Sequence, residues 1–130
     1  MERGVAERVR FAGFVDRDAI AQEFAAFNGF VLASESEAFA TVIWEALAMG
    51  VPVISTCNMG GINALEGHPE IGELVELDDV DGMARAMVRM RHEYSEYDPH
   101  VIRTFAVERA GQRAFAEQYT EAYEQAIAAE

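Results

Sequence analysis

Short apolar runs alternate along the chain with stretches whose apolar residues recur every three or four positions. The short runs indicate strands, and the longer period indicates amphipathic helices. The pattern predicts strands at 9–12, 30–33, 51–55 and 73–77, helices at 17–27, 41–49 and 80–91, a helical turn at 62–65, and a last helical segment at 98–129, broken near Gly111. This order predicts an α/β fold: a Rossmann-like, three-layer parallel sheet of about four strands, with helices on both faces and long C-terminal helices.

The stretch 30–55 is the centre of this pattern, because strand, helix and strand follow one another as a βαβ unit with parallel strands. Its helix, 41–49, is apolar on nearly all sides and yet carries one carboxylate, Glu45. A second carboxylate, Glu37, lies eight positions earlier, just after the strand. Parallel sheets bind ligands beyond the carboxyl ends of their strands, so we expect the chemistry here.

Length and composition are typical of one globular domain. The chain has 130 residues, 51% of them hydrophobic and 25% charged, and we expect residues 1–130 to form a single domain. No apolar run approaches the length of a membrane span. The single cysteine, Cys57, has no internal disulfide partner, which favours a cytoplasmic location.

The chain is strongly acidic, with a formal net charge of −13 and no lysine. Binding to nucleic acid depends on Lys and Arg, so no nucleic-acid partner is expected. The acidity has two interpretations: a generic acidic surface, or adaptation to high salt, which screens self-repulsion. The second predicts that the melting temperature rises steeply between dilute buffer and molar salt in a thermal unfolding experiment. A flat profile would rule it out.

The common phosphate-binding and metal-binding motifs are missing. No strand is followed by a Gly-x-Gly-x-x-Gly loop or a Walker sequence. The backbone amides around 40–42 still offer an anion site, because they lie at a helix N-terminus. The histidines His68, His92 and His100 do not have the spacing of metal ligands. We therefore expect neither a metal nor a cofactor.

Five segments together resemble a known family. They read RVRFAGFV at 8–15, GFVLAS at 29–34, EAFA at 37–40, EALAMGVPVI at 45–54 and GG at 60–61. This pattern resembles the C-terminal, donor-binding domain of retaining glycosyltransferases of the GT-B fold, the group 1 or family 4 type. The resemblance covers essentially the whole chain. Its most specific part is the pair Glu37 and Glu45 within matching flanking sequence.

The resemblance implies roles for individual residues. Glu37 is expected to be the catalytic residue and to contact hydroxyls of the donor sugar, while Glu45 contacts the ribose hydroxyls. A carboxylate only accepts hydrogen bonds, which suits hydroxyls and not phosphate. The amides between the two residues would hold the diphosphate. The donor-binding residues expected on this basis are Gly13, Phe39, Ala40, Thr41, Val42, Glu45, Gly60 and Gly61.

Each of these assignments has a structural alternative. Glu37 can be a solvated loop charge, and Glu45 can point outward from its helix. The pair Gly60 and Gly61 can be a plain turn. The sequence also departs from the family at two positions, since Ala40 stands where glycine is usual and Ala64 where a glutamate commonly follows the glycine pair.

The expected function is retaining, metal-independent transfer of a hexosyl group from a nucleotide-sugar donor, which is a substrate and not a cofactor. The family's Arg and Lys-Gly segment and its N-terminal acceptor domain are absent, so we expect an incomplete C-terminal half that is inactive alone. An acceptor domain or partner chain would complete it. A membrane-associated acceptor and a homodimer through the exposed sheet edge or C-terminal helices are compatible with this. The alternative is a non-catalytic, degenerate half-domain that serves as a binding or scaffold module.

Overall fold

A computed structural model describes residues 4–129. Its three strands are β1 (Phe30–Leu32), β2 (Val53–Thr56) and β3 (Gly72–Val75). They form one parallel sheet in the order β1-β2-β3, with Phe30 opposite Val53 and Val53 opposite Gly72. The strands are parallel because each connection carries a helix and returns to the same end of the sheet.

Six α-helices accompany the sheet within residues 4–129. They are α1 (Arg17–Ala25), α2 (Thr41–Ala48), α3 (Met59–Leu65), α4 (Val80–His92), α5 (Pro99–Ala110) and α6 (Gln112–Ala128). Side chains of Asn58, Asp79 and Asp98 accept hydrogen bonds from backbone amides in the first turns of α3, α4 and α5. Such caps satisfy amides that have no partner within the helix. Gly111 separates α5 from α6, at the predicted break.

The core has one layer on each face of the sheet. On one face, Ile43, Leu47 and Ile102 are fully buried against Val53. On the other face, Ile54 packs with Met90 of α4. Because successive strand residues point to opposite faces, the neighbours Val53 and Ile54 serve different layers. The three-layer α/β prediction is confirmed.

The strand predicted at 9–12 is wrong: these residues have no strand structure, and the sheet in residues 4–129 has three strands rather than about four. The side chains of Phe11 and Phe14 are 94% and 91% exposed. An extended segment becomes a strand only when a neighbouring strand pairs with its amides and carbonyls. Residues 9–12 have the apolar pattern of a strand but no such neighbour.

Within residues 4–129, two surface features are candidates for dimer contacts: the open edge of β1 and an apolar stripe on α6. The outer edge of β1 has no strand beside it. On α6, the stripe formed by Phe115, Tyr119 and Tyr123 is more than half exposed. Of the helices in the described part of the chain, none combines the length and apolar character that crossing a bilayer requires. Dimerisation through the edge or α6 stays a prediction.

Candidate functional site

The loop 34–40 connects the carboxyl end of β1 to the N-terminus of α2. Its last residue, Ala40, has φ +52° and ψ +61° and is 6% exposed. This left-handed conformation costs a residue with a Cβ about 1 kcal/mol. The position therefore has the geometry that glycine adopts most easily, although alanine occupies it.

Within the described residues 4–129, no side chain caps the N-terminus of α2. Ala40 precedes the helix and offers no hydrogen-bond acceptor on its side chain, and the first turn carries no acidic residue. The amides of the first helical residues, Thr41 and Val42, have no acceptor within the helix. Thr41 is exposed and Val42 half-buried. An uncapped helix start of this kind attracts an anion.

Along the chain, Glu37 precedes Thr41 by four residues and Glu45 follows it by four. Glu37 is half-buried in the loop, and Glu45 is half-buried on α2. Since Glu45 follows Thr41 by four residues, it lies about 6 Å further along the helix axis. Within residues 4–129, neither carboxylate forms an ion pair. Both can therefore accept hydrogen bonds from a ligand.

Gly60 and Gly61 bring the start of α3 against this loop. The Gly60 amide donates to the Glu37 carbonyl oxygen at 2.9 Å. A Cβ on Gly60 would lie 2.6 Å from Cβ of Ala40, and one on Gly61 would lie 2.5 Å from Oγ of Ser55. Packing against the protein thus explains why neither position carries a side chain. Contact of the two glycines with a donor stays a prediction.

Two polar residues at the site are absent from the sequence-based prediction. Thr56, at the end of β2, and Asn58, before α3, are buried and donate hydrogen bonds to the carbonyl oxygen of Ser34. The sequence held one signal, since asparagine is a preferred N-cap residue. Because Asn58 caps it, α3 begins at Met59 rather than at the predicted position 62.

An aromatic stack supports the loop from the side. The ring of Phe39 lies 6.1 Å from Trp44 of α2, and Trp44 lies 6.2 Å from Phe105 of α5 in a nearly parallel arrangement. Phe39 is 55% exposed. Nε1 of Trp44 is buried without a hydrogen-bond partner in the described chain. The stack holds Phe39 beside the helix start.

Two surface grooves border the loop 34–40 and the start of α2, and neither Glu37 nor Glu45 is among their lining residues. One, of about 310 Å³, is lined by Ala12, Val15 and Val42. Ala12 and Val15, on either side of Gly13, therefore lie beside the first turn of α2. Gly13 itself is exposed, with φ +69°. The other, of about 400 Å³, lies at the carboxyl ends of the strands towards α4 and has Glu35 and Glu76 among its lining residues.

Burial and packing account for three further residues considered from the sequence, namely Cys57, His68 and Ala64. Burial, together with the Glu76 carboxylate, raises the pKa of the Cys57 thiol, so Cys57 is a neutral and weak nucleophile at pH 7. His68 packs edge-on against Phe105, and Ala64 is fully buried in the core. Among the described residues, no three His, Cys, Asp or Glu side chains gather as metal ligands would.

Residues 1–93 match the family model described as glycosyl transferases group 1. The chain belongs to this family. The resemblance found in the sequence is therefore confirmed, and the loop 34–40 with α2 lies inside the matched part of this group 1 glycosyltransferase chain.

Named relatives support this membership. The chain is 36% identical over 86 residues to N-acetyl-alpha-D-glucosaminyl L-malate synthase of Bacillus anthracis. This match covers 66% of this chain and 22% of the synthase. It is 39% identical over 84 residues to the lipopolysaccharide core biosynthesis glycosyltransferase LpsE of Rhizobium meliloti. That match covers 65% of this chain and 24% of LpsE. The chain thus spans about a quarter of the relatives' length.

A solved structure extends the likeness to the whole fold. Sucrose-phosphate synthase from Thermosynechococcus elongatus superimposes with a TM-score of 0.81 at 30% identity. The match covers 97% of this chain and 32% of that one. The fold of this group 1 glycosyltransferase chain is therefore similar to the corresponding part of a GT-B enzyme.

Proposed function

We propose that the chain is the donor-binding part of a retaining glycosyltransferase that transfers a hexosyl group from a nucleotide-sugar without a metal ion. The observation that supports this most is the uncapped N-terminus of α2 between Glu37 and Glu45. It combines free backbone donors in the middle with two acceptors at the sides. A nucleotide-sugar has the complementary order: sugar hydroxyls, a diphosphate, and ribose hydroxyls.

The chemistry of each group decides its place in this proposal. Carboxylates accept hydrogen bonds and repel phosphate, so Glu37 binds hydroxyls of the sugar and Glu45 those of the ribose. The amides of Thr41 and Val42 donate to the diphosphate, and the Thr41 hydroxyl adds a donor. As the glycosidic bond breaks, negative charge grows on the leaving diphosphate. The helix N-terminus stabilises that charge by up to about 2 kcal/mol.

Transfer also requires an acceptor held against the donor. In this proposal, an N-terminal acceptor domain or a partner chain supplies that surface, and the described chain alone binds the donor weakly without turnover. An acceptor attached to a membrane lipid is compatible with the similarity to a lipopolysaccharide glycosyltransferase. The groove beside Ala12 and Val15 lies next to Val42, which favours it as the place of the nucleobase.

Calorimetric titration with UDP, GDP and ADP tests the proposal. One nucleotide is expected to bind, and Glu45→Gln is expected to weaken its binding about 10- to 100-fold, because a hydrogen bond to a charged group contributes about 1.5 to 3 kcal/mol. Glu37→Gln should leave nucleotide affinity unchanged and remove the extra affinity of the nucleotide-sugar. Chelation of divalent ions should change neither result.

The matched control is Glu35→Gln, which removes one exposed charge from the same loop. It should bind both ligands as the wild type does, because Glu35 lies outside the proposed contacts. The alternative is a non-catalytic binding or scaffold module with the same fold. Failure of all three nucleotides to bind would favour that alternative and contradict the donor site.

A further inference from the structure

The loops that follow β1 and β2 are joined by partly buried hydrogen bonds. The carbonyl oxygen of Ser34 accepts from Oγ1 of Thr56 at 2.5 Å and from Nδ2 of Asn58 at 3.0 Å. Thr56 is 7% exposed and Asn58 5% exposed. Hydrogen bonds shielded from water are stronger than exposed ones, and a lost partner leaves a polar group unsatisfied. The start of the Glu37 loop is therefore fastened at this point.

A single amide side chain connects three segments. Besides Ser34, Nδ2 of Asn58 donates to Oγ1 of Thr56 at 3.1 Å, and Oδ1 of Asn58 accepts from the Gly61 amide at 2.8 Å. The preceding amide, that of Gly60, donates to the Glu37 carbonyl oxygen. The ends of β1 and β2 and the first turn of α3 are thus held as one unit, with the backbone of Glu37 bonded to it.

We propose that Asn58 and Thr56 are positioning residues that place the Glu37 carboxylate for the donor sugar. This rests on the proposed function. The loop 34–40 lacks helix or strand structure, so regular backbone hydrogen bonds do not fix it. A sugar hydroxyl is recognised only when its acceptor is held to within a fraction of an ångström. The bonds to Ser34 and Glu37 supply that constraint.

The nucleotide end of the site is held differently. Glu45 and the amides of Thr41 and Val42 belong to α2. Ile43 and Leu47 of this helix pack in the core and are 0% exposed. These contacts do not involve Asn58. Loss of the Asn58 bonds is therefore expected to weaken recognition of the sugar and to spare recognition of the nucleotide. A general loss of structure would weaken both.

The sharpest variant is Asn58→Asp. Its remaining oxygen can still cap α3 through the Gly61 amide, since aspartate is a good N-cap, but the Nδ2 donor to Ser34 is replaced by an acceptor. Titration with UDP and UDP-glucose, and with GDP and GDP-mannose, should show at least a tenfold loss of the sugar's contribution to affinity. The affinity for the bare nucleotide should stay within twofold of the wild type.

Three further variants complete the test. Thr56→Val removes the hydroxyl at nearly constant shape and should act in the same direction, while Thr56→Ser keeps the hydroxyl and should retain wild-type affinity. Asn63→Asp adds the same charge at an exposed position of the same helix and should change nothing. Hydrogen exchange of the free protein should show faster exchange in loop 34–40 of Asn58→Asp, with α4 unchanged.

The outcomes separate the two claims. If the wild type binds neither nucleotides nor nucleotide-sugars, the proposed function fails and the positioning role falls with it. If the wild type binds and Asn58→Asp keeps the full contribution of the sugar, or loses nucleotide and sugar equally, only the positioning role is overturned. Unchanged exchange in loop 34–40 would overturn it as well.

Discussion

Replacing Gly72 with alanine is expected to lower the free energy of unfolding by at least about 3 kcal/mol. Gly72 is buried at the start of β3, opposite Val53 of β2. An added Cβ would collide with the carbonyl oxygen of Val53 and lie 2.9 Å from its carbonyl carbon. These are backbone atoms that cannot turn aside, so the two strands must separate. Thermal unfolding followed by circular dichroism should show a melting temperature lower by about 10 °C or more.

Gly67→Ala is the control for this substitution. Gly67 has φ +78°, and no atom of residues 4–129 lies within 4 Å of its added Cβ, so alanine there introduces backbone strain without a collision. Its cost should be about 1 kcal/mol. If the two variants lose the same stability, the contact with Val53 is not the cause of the Gly72 effect.

The second large effect is expected at the junction of the two site loops. Gly60→Ala should cost about 2 to 3 kcal/mol, because its Cβ would lie 2.6 Å from Cβ of Ala40 and 3.0 Å from the Ala40 backbone nitrogen. Ala40→Gly alone should change stability little: relief of about 1 kcal/mol of left-handed strain is offset by loss of about 0.8 kcal/mol from a buried methyl group.

The double variant Gly60→Ala with Ala40→Gly should recover about 1 kcal/mol or more of the loss, because the nearest colliding atom is gone. Urea unfolding of the four proteins gives this coupling energy directly. In the control pair, Gly61→Ala is combined with Ala40→Gly. The Cβ of Gly61→Ala would meet Ser55 and Thr56 instead of Ala40, so no recovery is expected there. Strict additivity of the first pair would contradict the contact.

Much of the fold follows from the periodicity of the sequence. The helix predicted at 17–27 is α1 (Arg17–Ala25), that at 41–49 is α2 (Thr41–Ala48), and that at 80–91 is α4 (Val80–His92). Three of the four predicted strands form and begin within two residues of the predicted starts. These elements have strong local signals, because their apolar residues face one core and their ends carry capping or turn residues. The prediction of a fourth strand, at 9–12, was wrong because strand formation depends on pairing with a neighbouring strand, which a local pattern does not specify.

In the candidate site, too, some features follow from local sequence and others depend on tertiary contacts. The loop, the helix start and both carboxylates lie where the sequence places them, because β1 and α2 fix the two ends of the loop. From the sequence, Gly60 and Gly61 are predicted to form either a plain turn or a contact with the donor. The close approach of Ala40 to Gly60 is a packing reason for glycine that residue spacing alone does not indicate.

By itself, the sequence determined the α/β class, the βαβ unit at the site and membership of the group 1 glycosyltransferases, because these depend on residue type, period and motif. Only the tertiary structure decided how the loop after β1 is held. The bonds from Thr56 and Asn58 to Ser34 join residues more than twenty positions apart. Such contacts exist only once parallel strands lie side by side, and no local pattern in the chain specifies them.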